Sequence, residues 1–152
     1  MSIIKNILVA SDLSELSHSA LGVAVDLSRT HNAGLTILHV HETAPFELPQ
    51  GYVQNLPSQL GRDYDSINQR LSQLERKARS LGVLRVETRI LHGAVVDEIV
   101  RFSEGFDCLV TGTHGRGGLE RWVMGSVAQK VLDRATCPVV VVRPARNRKP
   151  TQ

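Results

Sequence analysis

Apolar residues run unbroken from Ile7 to Ala10 and stop at Ser11-Asp12. A short apolar run bounded by polar turn residues suits a parallel strand buried on both faces. Leu13-Ser14-Glu15 is expected to start a helix with Ser14 as its N-cap. Leu16, Ala20, Val23, Ala24 and Leu27 then fall on one helical face. That helix should stop near His31-Asn32-Ala33-Gly34, where Asn32 or Gly34 takes a left-handed turn. Leu35 to Val40 reads as a second strand, which completes a βαβ unit with parallel strands and a right-handed crossover. Positions 43–59 break the pattern, because Pro45, Pro49, Gly51 and Pro57 exclude a long regular element. The segment is either a connecting loop pinned by Phe46 and Tyr52 or a lid over a ligand.

From Leu60 the period returns. Leu60, Tyr64, Ile67, Leu71, Leu74, Ala78 and Leu81 make one apolar stripe on a long helix ended by Gly82. Leu84, Val86, Thr88 and Ile90 alternate with Arg85, Glu87 and Arg89, a half-polar strand fit for a sheet edge. After His92-Gly93 a short helix carries Val95, Val96, Ile99 and Phe102. Asp107 leads into a fourth strand, Ser126 to Arg134 is a helix, and Pro138 to Arg143 is a fifth strand. Five strands alternating with helices predict a doubly wound α/β fold with a five-stranded, Rossmann-like parallel sheet. Such sheets take ligands at the carboxyl ends of their strands, beside the switch point in strand order.

Composition narrows the class. The 152 residues, 41% apolar and 22% charged, suit one domain over 1–144 with a core of useful size. No apolar run approaches the roughly 20 residues of a membrane span, and Ser2 to Asn6 leads into a strand rather than forming a secretory leader. Cys108 and Cys137 both lie in apolar strands, so a reduced cytoplasmic setting is expected rather than a disulfide framework. The net charge of +3 is local. Arg143, Arg146, Arg148 and Lys149 are four of the 18 basic residues; the other 14 face 15 acidic ones. Residues 145–152 read as a flexible basic tail, not a nucleic-acid arm.

The candidate chemistry sits after strand four. Gly112-Thr113-His114-Gly115 is followed by nine residues and then Gly125-Ser126. Glycines at both ends of the loop permit positive φ and close approach to a ligand. Gly125-Ser126 opens a helix, where free N–H groups and the dipole favour an anion. The Ser126 hydroxyl either caps the helix or donates to a phosphate oxygen. No Gly-Lys-Ser/Thr follows, so this is not a Walker loop, and Gly115, Gly117 and Gly118 do not make a dinucleotide fingerprint.

This Gly-x-x-Gly-x9-Gly-Ser spacing resembles the nucleotide-binding signature of the universal stress protein family. Ile7 to Asp12, Ile37 to Val40 and Cys137 to Val142 resemble that family's first, second and last strands, so the resemblance covers nearly the whole chain. One departure is Ala10-Ser11-Asp12, where many relatives carry a proline before the Asp. The resemblance implies strand order 3-2-1-4-5 and an ATP-binding branch. On that reading the amides of Gly112, Gly115, Gly125, Ser126 and Val127 hold phosphates of ATP (or ADP or AMP), with Arg116 nearby. The nucleoside lies against Ala10, Ser11 and Asp12. The Asp12 carboxylate either accepts from ribose or adenine or merely caps the first helix, and Val40 offers backbone groups to adenine. Mg²⁺ is expected only with the nucleotide.

Catalysis has little support, since phosphoryl transfer needs a metal site, a cationic clamp and a placed nucleophile. The six histidines show no metal-ligand spacing with the cysteines, and His39 and His41 are expected on opposite faces of a strand end. His114 reads as a loop side chain and Trp122 as packing for the loop. The leading function is a nucleotide-binding stress or signalling sensor. The alternatives are a slow ATPase or nucleotide-transferring enzyme, and a nucleotide-free dimeric interaction module. Val139, Val140, Val141 and Val142 form a β-branched edge that needs cover. The resemblance implies a homodimer through that strand; the alternative cover is the basic tail.

Overall fold

The computed structural model describes residues 3–42, 56–113 and 124–144, with side chains of 56–62 left aside. Nine elements follow one another: β1 (Asn6–Ala10), α1 (Ser17–His31), β2 (Gly34–Glu42), α2 (Leu56–Ser80), β3 (Val86–Gly93), α3 (Val95–Ser103), β4 (Cys108–Gly112), α4 (Ser126–Arg134) and β5 (Val139–Val142). The strands form one parallel sheet in the order β3-β2-β1-β4-β5. Travel along the sheet runs one way through β1, β2 and β3, then reverses to reach β4. Crossovers of a single hand therefore put α1 and α2 on one face and α3 and α4 on the other.

The buried residues divide accordingly. Ile7, Val9, Leu35, Ile37, Val86 and Val110 meet Ala20, Leu21, Ala24 and Val25 of α1 and Leu71, Leu74 and Ala78 of α2. Leu8, Leu38, Val40 and Leu109 meet Ile99 of α3 and Val131 of α4. Alternate residues of β1 thus serve opposite layers, which is why that strand is apolar throughout. β3 is an edge strand whose Glu87, Arg89 and His92 are exposed, as its alternation predicts.

Several boundaries differ from the sequence reading. α1 begins at Ser17, with Leu16 as its N-cap residue, because Ser11 to Ser14 are committed to a tight turn described below. Its buried face is rotated to include Leu21 and Val25, and Leu16 is 36% exposed. α2 begins at Leu56, before Leu60. Pro57 falls in its first turn, where a missing N–H breaks no helical bond. β3 starts only at Val86, and Leu84 is exposed. β2 continues two residues past Val40.

α1 and α2 end alike. Asn32 takes φ 53°, and the Ala33 N–H donates to the Ser28 carbonyl at 2.8 Å. Gly82 takes φ 99°, and the Val83 N–H donates to the Ala78 carbonyl at 3.2 Å. Both bonds satisfy carbonyls that a helix end leaves open. At the same end of the sheet, the N–H groups of Lys5 and Asn6 each donate to the Asp107 carboxylate at 2.9 Å. These bonds, Lys5 first, hold the Asp107 carboxyl below its ordinary pKa. No described helix is long and apolar enough to cross a membrane.

Candidate functional site

At the carboxyl ends of β1, β2 and β4 the layers part into a cleft of about 580 Å³. That volume lies within the range of roughly 300–1,000 Å³ usual for small-molecule sites. The strand order reverses between β1 and β4, so the cleft occupies the switch point.

Its floor is the turn after β1. The Ser11 N–H donates to the Leu38 carbonyl at 2.9 Å, and its Oγ accepts from the Leu13 N–H at 3.1 Å and donates to Ser17 Oγ at 3.0 Å. His39 Nδ1 lies 2.9 Å from the Ser11 carbonyl; a carbonyl only accepts, so Nδ1 carries the proton. Leu13 is held at φ 64°, a left-handed conformation that costs a leucine roughly 1–2 kcal/mol. This network over-determines the turn without a proline, and it delays the start of α1. Asp12 Oδ1 accepts from the Ser14 N–H at 2.9 Å and from Ser14 Oγ at 2.6 Å. Ser14 is therefore a partner of Asp12, not the helix cap. Asp12 Oδ2 is buried and has no hydrogen-bond partner among the described residues, and Asp12 lines the cleft. One oxygen builds the turn; the other meets no donor among the described residues.

Val40 also lines the cleft. The Leu38 carbonyl bonds across to Ser11 after β1, so main-chain groups of even-numbered residues in β2 face the β1 side. Those of Val40 face the space beyond the end of β1 at Ala10. The side chains of His39 and His41 do not point to opposite faces: residues two apart on a strand share a face, and both line this cleft.

The opposite wall is the start of α4. Gly112 pairs with Val142 as the last residue of β4. Gly125 is the N-cap residue of α4, and its carbonyl accepts from the Gln129 N–H at 3.0 Å. Two expectations need correction here. Gly125 has φ −59°, so it does not use the left-handed region. Its N–H donates to the Thr113 carbonyl at 2.6 Å and closes the loop instead of meeting a ligand. Ser126 is the first helical residue, exposed, and makes no side-chain cap bond; it stands one position too late to cap. The N–H groups of Ser126, Val127 and Ala128 precede the first helical bond, Gln129 N–H to the Gly125 carbonyl, and have no partner within the helix. Val127 and Ala128 line the cleft. Gly115, Arg116, His114 and Trp122 lie outside the described residues, as do 43–55 of the lid reading and 145–152 of the tail.

Thr111, Thr113 and Ser17 also line the cleft, as do Asp63, Ser66, Ile67 and Arg70 from α2. Sequence reasoning missed these. The α2 residues carried a usable signal, a polar row beside the apolar stripe. Among the described residues no group of three His, Cys, Asp or Glu side chains is set to hold a metal. Chemically, the cleft offers one unpartnered carboxylate oxygen at β1 and helix amides at α4. That pairing suits a ligand with hydroxyl or amino donors at one end and negative charge at the other.

Many solved structures resemble this fold. The universal stress protein family matches residues 4–143. A universal stress protein of Methanocaldococcus jannaschii is 34% identical over 142 residues, covering 91% of this chain and 82% of that protein. The solved universal stress protein UspA from Lactobacillus plantarum superposes with TM-score 0.83 at 25% identity, covering 94% of this chain and all of that one (100%). A universal stress protein solved in complex with cAMP superposes with TM-score 0.68 at 25% identity, covering 93% and 98%.

Proposed function

The chain belongs to the universal stress protein family, and on that premise we propose that it binds an adenine nucleotide, ATP or its products ADP and AMP, as a sensor in stress response or signalling. The observation that carries the reading is Asp12 Oδ2, buried in the cleft without a partner among the described residues. A buried carboxylate oxygen left unpaired is costly. A ribose hydroxyl or an exocyclic amino group supplies the missing donor. The Val40 main-chain groups suit the edge of adenine, and the amides of Ser126, Val127 and Ala128 suit phosphate oxygens. The cAMP complex of a relative supports an adenine nucleotide as the ligand class. Mg²⁺ would come only with the phosphates of ATP, where it would neutralise part of their charge. Asp12, Val40 and the α4 amides bind and orient the nucleotide, and no residue is assigned a catalytic step. The two cysteines, both free, suit a reducing cytoplasm.

Self-association through β5 belongs to the same proposal. Val139 to Val142 form an edge strand, and each remains partly exposed. A β-branched edge of this kind needs cover, and in this reading a second copy supplies it. Sedimentation at micromolar concentration should show a dimer; a monomer alone overturns that part.

The nucleotide reading is tested by denaturing freshly purified protein and chromatographing what it releases, with calorimetric titration of MgATP alongside. Co-purified adenine nucleotide or saturable binding is expected. Absence of both leaves the nucleotide-free module. Phosphate release beyond one equivalent per site identifies a slow ATPase instead.

A further inference from the structure

One wall of the cleft is explained by neither the glycine loop nor the β1 turn. Asp63, Ser66, Ile67 and Arg70 line it from α2, and their spacing of three, one and three is one face of a helix. Ile67 packs partly against the core on the α1 side, so this row borders the packed face and turns its polar members to the cleft. Arginines 79, 89, 101 and 134 are each held by a carboxylate: Glu75, Glu87, Glu98 and Asp97. Arg70 and Asp63 have neither an ion pair nor a hydrogen bond with any described residue.

Position decides what such groups meet. α2 packs on β3 and β2, whereas the α4 amides stand beyond β4. β2 and β4 are two strand spacings apart, roughly 9–10 Å. The α2 row therefore meets the end of a ligand farthest from the phosphate amides. Tyr64 of α2 stacks on His92 of β3 at 6.3 Å and 15°, and His92 meets His41 edge-on at 5.6 Å and 75°. His41 itself lines the cleft.

We infer that α2 carries the base-reading surface of the nucleotide site, with Arg70 and Asp63 as specificity-determining residues for a purine. This rests on the nucleotide reading above. Arginine only donates and an ionised aspartate only accepts. A purine edge presents ring-nitrogen acceptors and amino or imino donors to match both. Helical side chains lean toward the N-terminus, which carries Arg70 back over Ile67, whose apolar surface suits the face of a base.

Calorimetry with MgATP, MgGTP and inorganic tripolyphosphate separates the possibilities. Arg70→Met should weaken MgATP about ten- to a hundredfold and leave tripolyphosphate unchanged. Asp63→Asn should change the ratio of ATP to GTP affinity. Arg70→Lys keeps charge and stem but loses the fork, and should fall between wild type and Arg70→Met; it serves if Arg70→Met melts early without ligand. Equal loss of MgATP and tripolyphosphate in Arg70→Met places Arg70 on the phosphates and overturns the inference. Unchanged MgATP affinity in both Arg70 variants also overturns it and leaves the nucleotide reading intact. Wild-type protein that binds no probe removes both.

Discussion

Replacing Asp12 by asparagine separates binding from folding at a single residue. Asparagine keeps an oxygen where Oδ1 accepts from the Ser14 N–H and Oγ at 2.9 and 2.6 Å. It replaces the buried, unpartnered Oδ2 with an NH₂ group and removes the charge. A hydrogen bond to a charged group contributes about 1.5–3 kcal/mol. At about 1.4 kcal/mol per decade, MgATP affinity should fall about ten- to a hundredfold. Unliganded stability should stay within about 1 kcal/mol of wild type, because the turn survives and an unpaired charge is relieved. Asp12→Ala differs: it loses both Ser14 bonds, at about 1 kcal/mol each, and should melt several degrees lower at about 2–4 °C per kcal/mol. Titration calorimetry with MgATP and thermal melts without it measure the two quantities. Wild-type affinity in Asp12→Asn, with Asp12→Ala merely destabilised, would reduce Asp12 to a turn-forming residue and refute the reasoning.

Ser126→Ala should leave the unliganded melting curve nearly unchanged, within about 0.5 kcal/mol, because the hydroxyl makes no cap bond; any effect should show in MgATP titration. Val141→Lys puts a charge on the partly exposed β5 edge and should shift sedimentation toward the monomer. Burial pushes the Cys108 thiol up in pKa, helped by Cys137 and Asp107, so a maleimide at neutral pH should label Cys137 first and Cys108 only on unfolding. The Asp107 carboxyl titrates below its ordinary value in the folded chain. Its contribution is therefore present above about pH 4, the unfolded pKa, and lost as pH falls through the lower folded value. Urea unfolding of wild type and Asp107→Asn should show a stability gap at pH 7 that closes toward pH 3.

The sequence by itself determined where chain direction and local geometry change. The apolar run of β1, the stripe of Leu71, Leu74 and Ala78, and the left-handed stops at Asn32 and Gly82 are written in neighbouring residues. Periodicity and sterics act over a few positions, so these elements were legible. The alternation of β3 was legible as an edge for the same reason. Strand order was not, because pairing joins residues far apart in sequence; it came from likeness to a family. Tertiary structure alone decided how the site is apportioned. The Gly125 amide looked free for a phosphate until Thr113, at the end of β4, came within 2.6 Å and claimed it. Ser14 looked like a cap until Asp12 took both its N–H and its hydroxyl, which moved the start of α1 to Ser17. Arg70 and Asp63 drew no functional reading from the sequence, and only the packing of α2 across β2 and β3 brings them to the cleft. A polar group's role depends on which partners reach it first, and those partners are set by the fold.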